Sequence, residues 1–427
     1  MPVVSVGMPL GSGCSTCGYC GPLGERSSTE TSFKKAGFIA SQLSCEVYQK
    51  MIYRGWRRSG TYCYAPDLRR SCCPQYTIKL DAIAFKPSRS QRKLINRWNH
   101  FVMQGSKSET SDSLLLQGIS SSPARLATRP FESEGNASKR DPPKFSLSTS
   151  IHAAESNFIS PNATARHKFE VTLEPSTYSE EKYALYLLYQ REIHHDPHNT
   201  PEDFKRFLVK SPLINEPIPY IGSAPDHLPS QYGSFHQMYR LDGELIAVGV
   251  IDILPECVSS VYFIYNPKHD KFSLGKLSAL REASLAREIH DAGAVTMTSL
   301  AMGFYIHSCP KMKYKGEYSP SYLADPEEFT WFPLADCVPQ LEKFRYAAFV
   351  HPEHSLEGPQ DPGEGPPVRV SEELLNEVMI IYSMQQGVIS IIPINSSHRW
   401  NDEYNREEIS SCVDALGDEL SRVIIFR

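Results

Sequence analysis

The chain has 427 residues, and its 44 Lys+Arg against 49 Asp+Glu make it mildly acidic, which would argue against a nucleic-acid partner if the charge were spread evenly. No stretch approaches the roughly eighteen consecutive apolar residues of a membrane span, and the first twenty residues lack a basic start followed by an apolar run. The expectation is a soluble cytoplasmic protein, with the nucleus also open and no membrane or DNA partner; thiols stay reduced there, so its eleven cysteines point to metal binding or catalysis rather than disulfides.

The first segment in chain order is CSTCGYC, with Cys14, Cys17 and Cys20 at i, i+3 and i+6 in a glycine-rich stretch. A second tight pair, Cys72-Cys73, follows in RRSCCPQY. Two close pairs joined by a foldable stretch suit a four-thiolate site, and both zinc and iron–sulfur clusters accept four cysteines. Reactive free thiols and inert packing are the other readings of these residues. Cys45, Cys257, Cys309, Cys337 and Cys412 stand singly and read as small buried hydrophobes.

Charge is concentrated in the same region. Residues 1–105 hold 15 Lys+Arg and 5 Asp+Glu, a net of +10, so the rest of a chain at −5 overall carries −15. This asymmetry makes the segment a candidate polyanion-binding surface. The basic residues interleave with aromatics in YRGWRRSGTYCYAPDLRR, which holds Arg54, Arg57, Arg58, Arg69 and Arg70. In SRSQRKLINRWNHF, Leu94, Ile95, Trp98 and Phe101 recur at helical spacing, leaving Arg89, Arg92, Lys93 and Arg97 outward. A merely solvated charged face is the bland alternative.

Residues 106–165 are rich in Ser, Pro, Thr and Gly with little apolar periodicity and read as a flexible insertion. Folded sequence resumes near Lys168. Thr177 and Glu180 have capping-box spacing ahead of an apolar-rich helical stretch, and Thr200-Pro201-Glu202-Asp203 starts another helix. Asp242-Gly243 predicts a hairpin between two β-type runs, SSVYFIYNP a third strand, and SLGKLSALREASLAREIHDAG an amphipathic helix ending near Gly293. That order predicts an α/β (α+β) acyltransferase domain of GNAT-like type over 166–370, behind a Cys-rich basic module at 1–105. The extension at 371–427 reads as helix (EELLNEVMIIYSMQQ), strand (GVISIIPI) and helix, with no assigned role.

At these strings the chain resembles the eukaryotic arginyltransferase (arginyl-tRNA-protein transferase) family. CGYC at 17–20, RGWRRSG at 54–60 and CCP at 72–74 look like its N-terminal region. YQREIHHD, FKRFL, SSVYFIYNP, SLGKLSALRE and YIHSCPKMKYKGEYSPSYL (305–323) look like its catalytic region. The resemblance covers roughly 16–105 and 168–350, and Cys14 is an extra thiol beside the pattern. It implies Cys17, Cys20, Cys72 and Cys73 as ligands of an oxygen-sensitive iron–sulfur cluster, with zinc as the alternative. It also implies transfer of arginine from Arg-tRNA to the α-amino group of proteins beginning with Asp, Glu or oxidised Cys, marking them for N-degron degradation.

An arginyl ester is already activated, so the enzyme must align amine and ester, accept a proton and stabilise an oxyanion. No G-x-S-x-G elbow is needed, and none is present. Asp252, in the apolar run IAVGVIDILP, is the first candidate for a catalytic carboxylate, though a strand-end Asp capping the next loop is the alternative; Glu317 is the second. Ser259, Ser260, Tyr262 and Tyr265 are candidate hydroxyl donors. For the acceptor's acid, Arg240 and His236 share a strand face at a spacing of four, with His307, Lys311 and Lys313 as rivals for this role or the tRNA end. Two other classes compete. A CoA-dependent N-acetyltransferase would carry R/Q-x-x-G-x-G/A before its helix, which NPKHDKFSLGKLSALRE lacks. A metal-stabilised RNA-binding protein leaves 235–323 without a task.

Overall fold

A computed structural model describes residues 3–21, 25–105, 145–365, 368–385 and 388–427. Most of the expected flexible insertion, 106–144, lies outside the described residues. Two sheets organise the rest. The first contains β1 (Ser5–Leu10), β2 (Gly13–Thr16), β3 (Glu30–Gln42), β4 (Arg57–Ser59), β5 (Tyr62–Pro66), β15 (Met379–Gln385), β16 (Val388–Pro393) and β17 (Ile424–Phe426). Its order is β16-β15-β17-β1-β3-β5-β4, with β2 on β3. The second contains β6 (Tyr76–Asp81), β7 (Phe169–Pro175), β8 (Glu216–Pro217), β9 (Gln231–Leu241), β10 (Glu244–Ile253), β11 (Cys257–Tyr265), β12 (Ser299–Tyr305), β13 (Ser321–Ala324) and β14 (Trp331–Pro333). Its order is β14-β13-β6-β12-β11-β10-β9-β7, with β8 on β9.

These sheets cut across the expected segments. The tail is not an appendage: β17 runs parallel to β1, pairing Ser5 with Ile424 and Gly7 with Phe426. Helix α6 (Glu403–Val423) packs on β1 and β3 and buries Cys412, Leu416 and Leu420. Conversely β6, from the N-terminal hundred residues, pairs with β12 and β13 of the second sheet. The expected helix over EELLNEVMIIYSMQQ stops at Glu377, and MIIYSMQ becomes β15, whose β-branched pair Ile380-Ile381 suits a strand.

Local signals hold where a backbone need is unambiguous. Asp242 and Gly243, with φ of 51° and 87°, make the tight β9–β10 turn, as two left-handed central residues require. Thr200 caps its helix and exchanges hydrogen bonds with Asp203 at N3. Helix α1 (Cys45–Tyr53) follows the Ser44 cap, and α2 (Arg89–Gln104) buries Leu94, Ile95 and Trp98 beneath an exposed Arg89, Arg92, Lys93 and Arg97. One cap differs from the expectation: Ser179, not Thr177, caps α4 (Glu180–Tyr189), while Thr177 accepts from Lys182 Nζ. Helix α3 (Leu147–His152) and the long α5 (Leu274–Asp291) pack together, so the insertion's last twenty residues are ordered against the second sheet.

Candidate active site and metal centre

The four predicted thiols meet. The Sγ atoms of Cys17, Cys20, Cys72 and Cys73 all lie within 4.8 Å of one another, with Cys72 to Cys20 at 3.8 Å. Hydrogen bonds from Cys72 and Cys73 hold the Cys17 thiol far below its ordinary range. Cys73 is raised by its bonds to Cys17 and Cys72. Tetrahedral zinc with Zn–S near 2.3 Å needs sulfurs about 3.8 Å apart, and this set fits it. Cys309 is buried, as expected; it packs with Cys17, Cys73 and Ile306, against Tyr19 and Met312, so the cluster backs onto the 306–312 segment. Cys45, Cys257, Cys337 and Cys412 are buried, as expected.

Asp252 is buried, and both of its carboxylate oxygens are already paired. Arg58 Nη2 donates to its Oδ1 at 2.6 Å and Arg58 Nε to its Oδ2 at 2.9 Å, while Ser234 Oγ donates to Oδ1 at 2.5 Å. With Asp252 0% and Arg58 7% exposed, both the catalytic expectation for the acid and the tRNA expectation for the arginine are corrected. The reason is physical: an isolated carboxylate in an apolar strand is tolerated only with a partner, and the basic strand β4 supplies it. Arg57 is buried too. It donates to the carbonyls of Ile52, Trp56 and Gly303 and lies 4.8 Å over Phe304, while its Nε has no hydrogen-bond partner among the described residues. Neither arginine is exposed to meet a phosphate.

The remaining predicted residues divide by place. Arg92, Lys93 and Arg97 form an open face on α2, and Arg69 is exposed. Arg54 is half-buried over Phe329 at 4.4 Å. Gly417 (φ 74°) breaks α6 beside Arg54, whose Cζ would stand 2.5 Å from a Cβ there. Arg54, Arg69 and Arg70 line a cavity of about 660 Å³ with Lys35, Asp325 and Glu327, yet Arg70 is already paired to Asp361 and Glu364. Arg240 is paired with Glu181 at 2.6 Å. The His236 ring is buried with Nε2 2.8 Å from the Leu208 carbonyl, and burial pushes its pKa down to about 4. The expectation that this pair holds an acidic side chain is corrected, because the ion pair and the burial remove that role. Glu317 pairs with Lys276, and His307 lies between Tyr305 and Lys313.

What converges instead is a notch between β11 and β12. These parallel strands pair with each other only from Cys257–Ser259 to Ser299–Ala301 and then part, β11 staying on β10 to Tyr265 and β12 on β6 to Tyr305. A bulge at the Val250/Ile251 register shift makes Val261 an extra residue, so Ser260 turns toward α5 while Tyr262 turns toward α4. Tyr262 Oη and His194 Nε2 are 3.2 Å apart. Tyr265 donates to Asp270 at 2.8 Å, and Tyr189 stacks edge-on against both tyrosines. His194 is depressed by burial and by the charge of exposed Lys311.

Two further groups stand in the notch, and neither is marked in the sequence. Lys315 donates from Nζ to the Phe304 carbonyl at 2.7 Å and stands 3.6 Å from Met312 Sδ; burial, then the nearby Arg57, push it down to about 7. Glu282 of α5 accepts from Ser278 at 2.7 Å, has no partner for Oε2 among the described residues, and is pushed up to about 7 by burial. The one sequence signal for Glu282 is an acid on the apolar side of α5; for Lys315 there is none, since KMKYK offers three lysines that look alike.

The chain is similar in sequence to known proteins. Residues 15–93 match the family model described as "Arginine-tRNA-protein transferase, N terminus", and residues 181–325 the one described as "Arginine-tRNA-protein transferase, C terminus". The chain is 35% identical to "Arginyl-tRNA--protein transferase 1" of Drosophila melanogaster, over 79% of this chain and 84% of that protein. It is 28% identical to "Arginyl-tRNA--protein transferase 1" of Arabidopsis thaliana, over 78% and 73%. A shorter match, 34% identical over 34% of this chain and 53% of the relative, is to "Aspartate/glutamate leucyltransferase" of Stutzerimonas stutzeri.

Proposed function

The chain belongs to the arginyl-tRNA–protein transferase family, and from that premise we propose that it moves arginine from Arg-tRNA to the α-amino group of proteins beginning with Asp, Glu or oxidised Cys, marking them for N-degron degradation. The acceptor class draws support from the relative named for aspartate and glutamate. The site is the β11–β12 notch, and the observation that carries it is the parting of two parallel strands beside the half-buried Lys315 and the buried Glu282. A parting of this kind in a hairpin–strand–helix sheet supports the GNAT-like reading.

The reaction forms an N–C bond from the α-amine to the arginyl carbonyl and breaks the C–O bond to the tRNA ribose. The amine's ordinary pKa of about 7.7–8.0 leaves a useful neutral fraction. Lys315, poised near neutrality, accepts the amine's proton and returns it to the ribose oxygen as the C–O bond breaks, since a base works best with a pKa close to the working pH. Glu282 meets the donor's guanidinium with its unpartnered oxygen, a cation that would draw it into the ionised form. Ser260, on the Glu282 side of the strand, is the hydroxyl donor to the oxyanion, whereas Tyr262 faces His194 on the other side; Lys311 at the rim meets the acceptor's acidic side chain. Asp252 and Arg58 position β10 rather than touch substrate. The basic face of α2 carries tRNA phosphates.

The four thiolates hold a metal that fixes the Tyr19 loop and the 306–312 loop beside the notch. Their spacing supports a single zinc ion; an iron–sulfur cluster, which the resemblance implies, would require the sulfurs to part. The function is tested with radiolabelled Arg-tRNA and peptides differing only in Asp or Gly at the first position. Label entering the Asp peptide supports the reading; label entering both equally, or neither, overturns it.

A further inference from the structure

On the far side of α5 from the notch, three segments distant in sequence bring two imidazoles and a carboxylate together. His152 ends α3, His227 lies in the loop before β9, and Glu288 is in the last turns of α5. Glu288 Oε2 stands 3.1 Å from His152 Nε2 and 3.0 Å from His227 Nε2, and one donor atom from each residue lies within 4.8 Å of the others. We propose that these three atoms form a second metal site, for a divalent transition ion of zinc's class, separate from the four-cysteine centre.

The spacing is that of a coordination shell. Nitrogen and oxygen donors at about 2.0–2.2 Å from tetrahedral zinc stand roughly 3.4 Å apart, close to the distances here. The surroundings are those of ligands held in place. His152 Nδ1 is 2.9 Å from Glu155, which Arg281 holds at 2.5 Å, so the ring's other nitrogen is aimed at Glu288 and His227. Metal-bound histidines characteristically direct their second nitrogen to a carboxylate in this way. Glu288 Oε1 is anchored by Ser284 Oγ at 2.6 Å, leaving Oε2 for the ion. Phe158 stacks on the His152 ring at 4.0 Å, and an adjoining cavity of about 40 Å³ has room for a water as fourth ligand. Imidazole with carboxylate suits zinc, nickel or iron over magnesium or calcium.

The ion would pin the segment after residue 144 and the 221–230 loop to the helix that carries Glu282. The competing occupant is a proton. Burial lowers the His152 pKa, but hydrogen bonds with Glu155 and Glu288 outweigh it and bring it up to about 9, so an ion-paired knot without metal is the alternative.

Cobalt(II) titration of the full chain separates the two. The cysteine site gives a thiolate charge-transfer band, whereas the second site gives d–d bands alone, and these persist in Cys72→Ser. In His227→Asn, which alters a half-exposed ring, that second equivalent of cobalt or zinc is lost and zinc no longer raises the melting temperature of the Cys72→Ser background. Wild-type protein binding no metal beyond the thiolate site, or His227→Asn binding as much as wild type, overturns the proposal.

Discussion

Arg58 and Asp252 are 194 residues apart in the chain, yet their side chains join through two hydrogen bonds of 2.6 and 2.9 Å, locking β4 of the first sheet to β10 of the second. Removing one partner leaves the other charge buried without compensation, which costs about 3–5 kcal/mol. Asp252→Ala is therefore expected to lower the unfolding free energy by that order, measured by urea denaturation. Arg58→Ala should do the same, and the double variant should cost less than the sum. Additive losses would show that the two charges do not meet.

The tail contributes to the first sheet as a strand. Phe426 is fully buried against Phe38, with ring centroids 6.2 Å apart, and Trp56 Nε1 donates to the Ala415 carbonyl at 3.0 Å. Phe426→Ala is expected to destabilise the chain by about 3–5 kcal/mol through the cavity it leaves. Deleting 424–427 should free the β17 edge of β1 while leaving its pairing with β3, and so speed hydrogen exchange at Gly7, whose carbonyl accepts from Arg427; protection of Gly7 unchanged by the deletion would refute the pairing.

How far the residues announce this arrangement depends on the range of the interaction. Asp242-Gly243 and Thr200-Asp203 are legible because a turn or cap is decided within four residues. The basic face of α2 is legible because its apolar stripe has helical period. Asp252 is legible as buried, since it sits in an apolar run, but its partner lies in a distant segment that itself looks like a phosphate-binding surface. Arg57 and Arg58 mislead for the same reason: exposure is a property of the packed sheets, not of RGWRRSG. Ser260 and Tyr262, two residues apart on a regular strand, would share a face, and the bulge at Val261 separates them. Lys315 differs from Lys311 and Lys313 only in where the chain turns after β12.

Lys315 and Glu282 give opposite pH dependences. Lys315 falls from 10.5 unfolded to about 7 folded, so between these values only the unfolded chain holds the proton and stability rises with pH. Glu282 rises from 4.5 to about 7, so over that window only the folded chain holds the proton and stability falls as pH rises. Each contributes at most about 1.4 kcal/mol per pH unit. Chemical denaturation across pH 5–10 should show Lys315→Met losing the upper slope and Glu282→Gln the lower one. In single-turnover transfer, Lys315→Met is expected to fall about 100-fold with tRNA affinity retained. A variant that loses tRNA affinity but not the chemical step would place Lys315 outside the proton transfer.

For tRNA, the exposed and buried arginines make distinct predictions. Replacing Arg92, Lys93 and Arg97 by Ala is expected to weaken binding and lower the slope of log K against log salt by about 0.7–0.9 for each phosphate no longer neutralised. Arg57→Ala should instead reduce stability, because that guanidinium caps carbonyls of α1 and β12. Binding measured from low to high salt checks both; an unaltered slope in the α2 variant moves the RNA to another surface.

The four-cysteine group ties the first sheet to the segment after β12, because Cys17 and Cys73 pack with Ile306 and Cys309, against Tyr19 and Met312. Metal binding would contribute folding free energy here, since an ion held by all four sulfurs ties together segments that the thiols alone join only by weak hydrogen bonds. Cys73→Ser is therefore expected to lose the bound metal, lower the melting temperature and weaken transfer, even though no sulfur touches the reacting atoms. Iron and zinc analysis with visible absorption, on protein purified without oxygen, identifies the ion. One zinc per chain and no visible colour is expected from the sulfur spacing, and stoichiometric iron with visible absorption bands would mean that the thiols move apart to hold a cluster. Lowering the pH protonates thiolates and releases the ion, so the melting temperature of wild type should approach that of Cys73→Ser in acid. If the gap between them stayed constant with pH, the thiolates would not be the ligands.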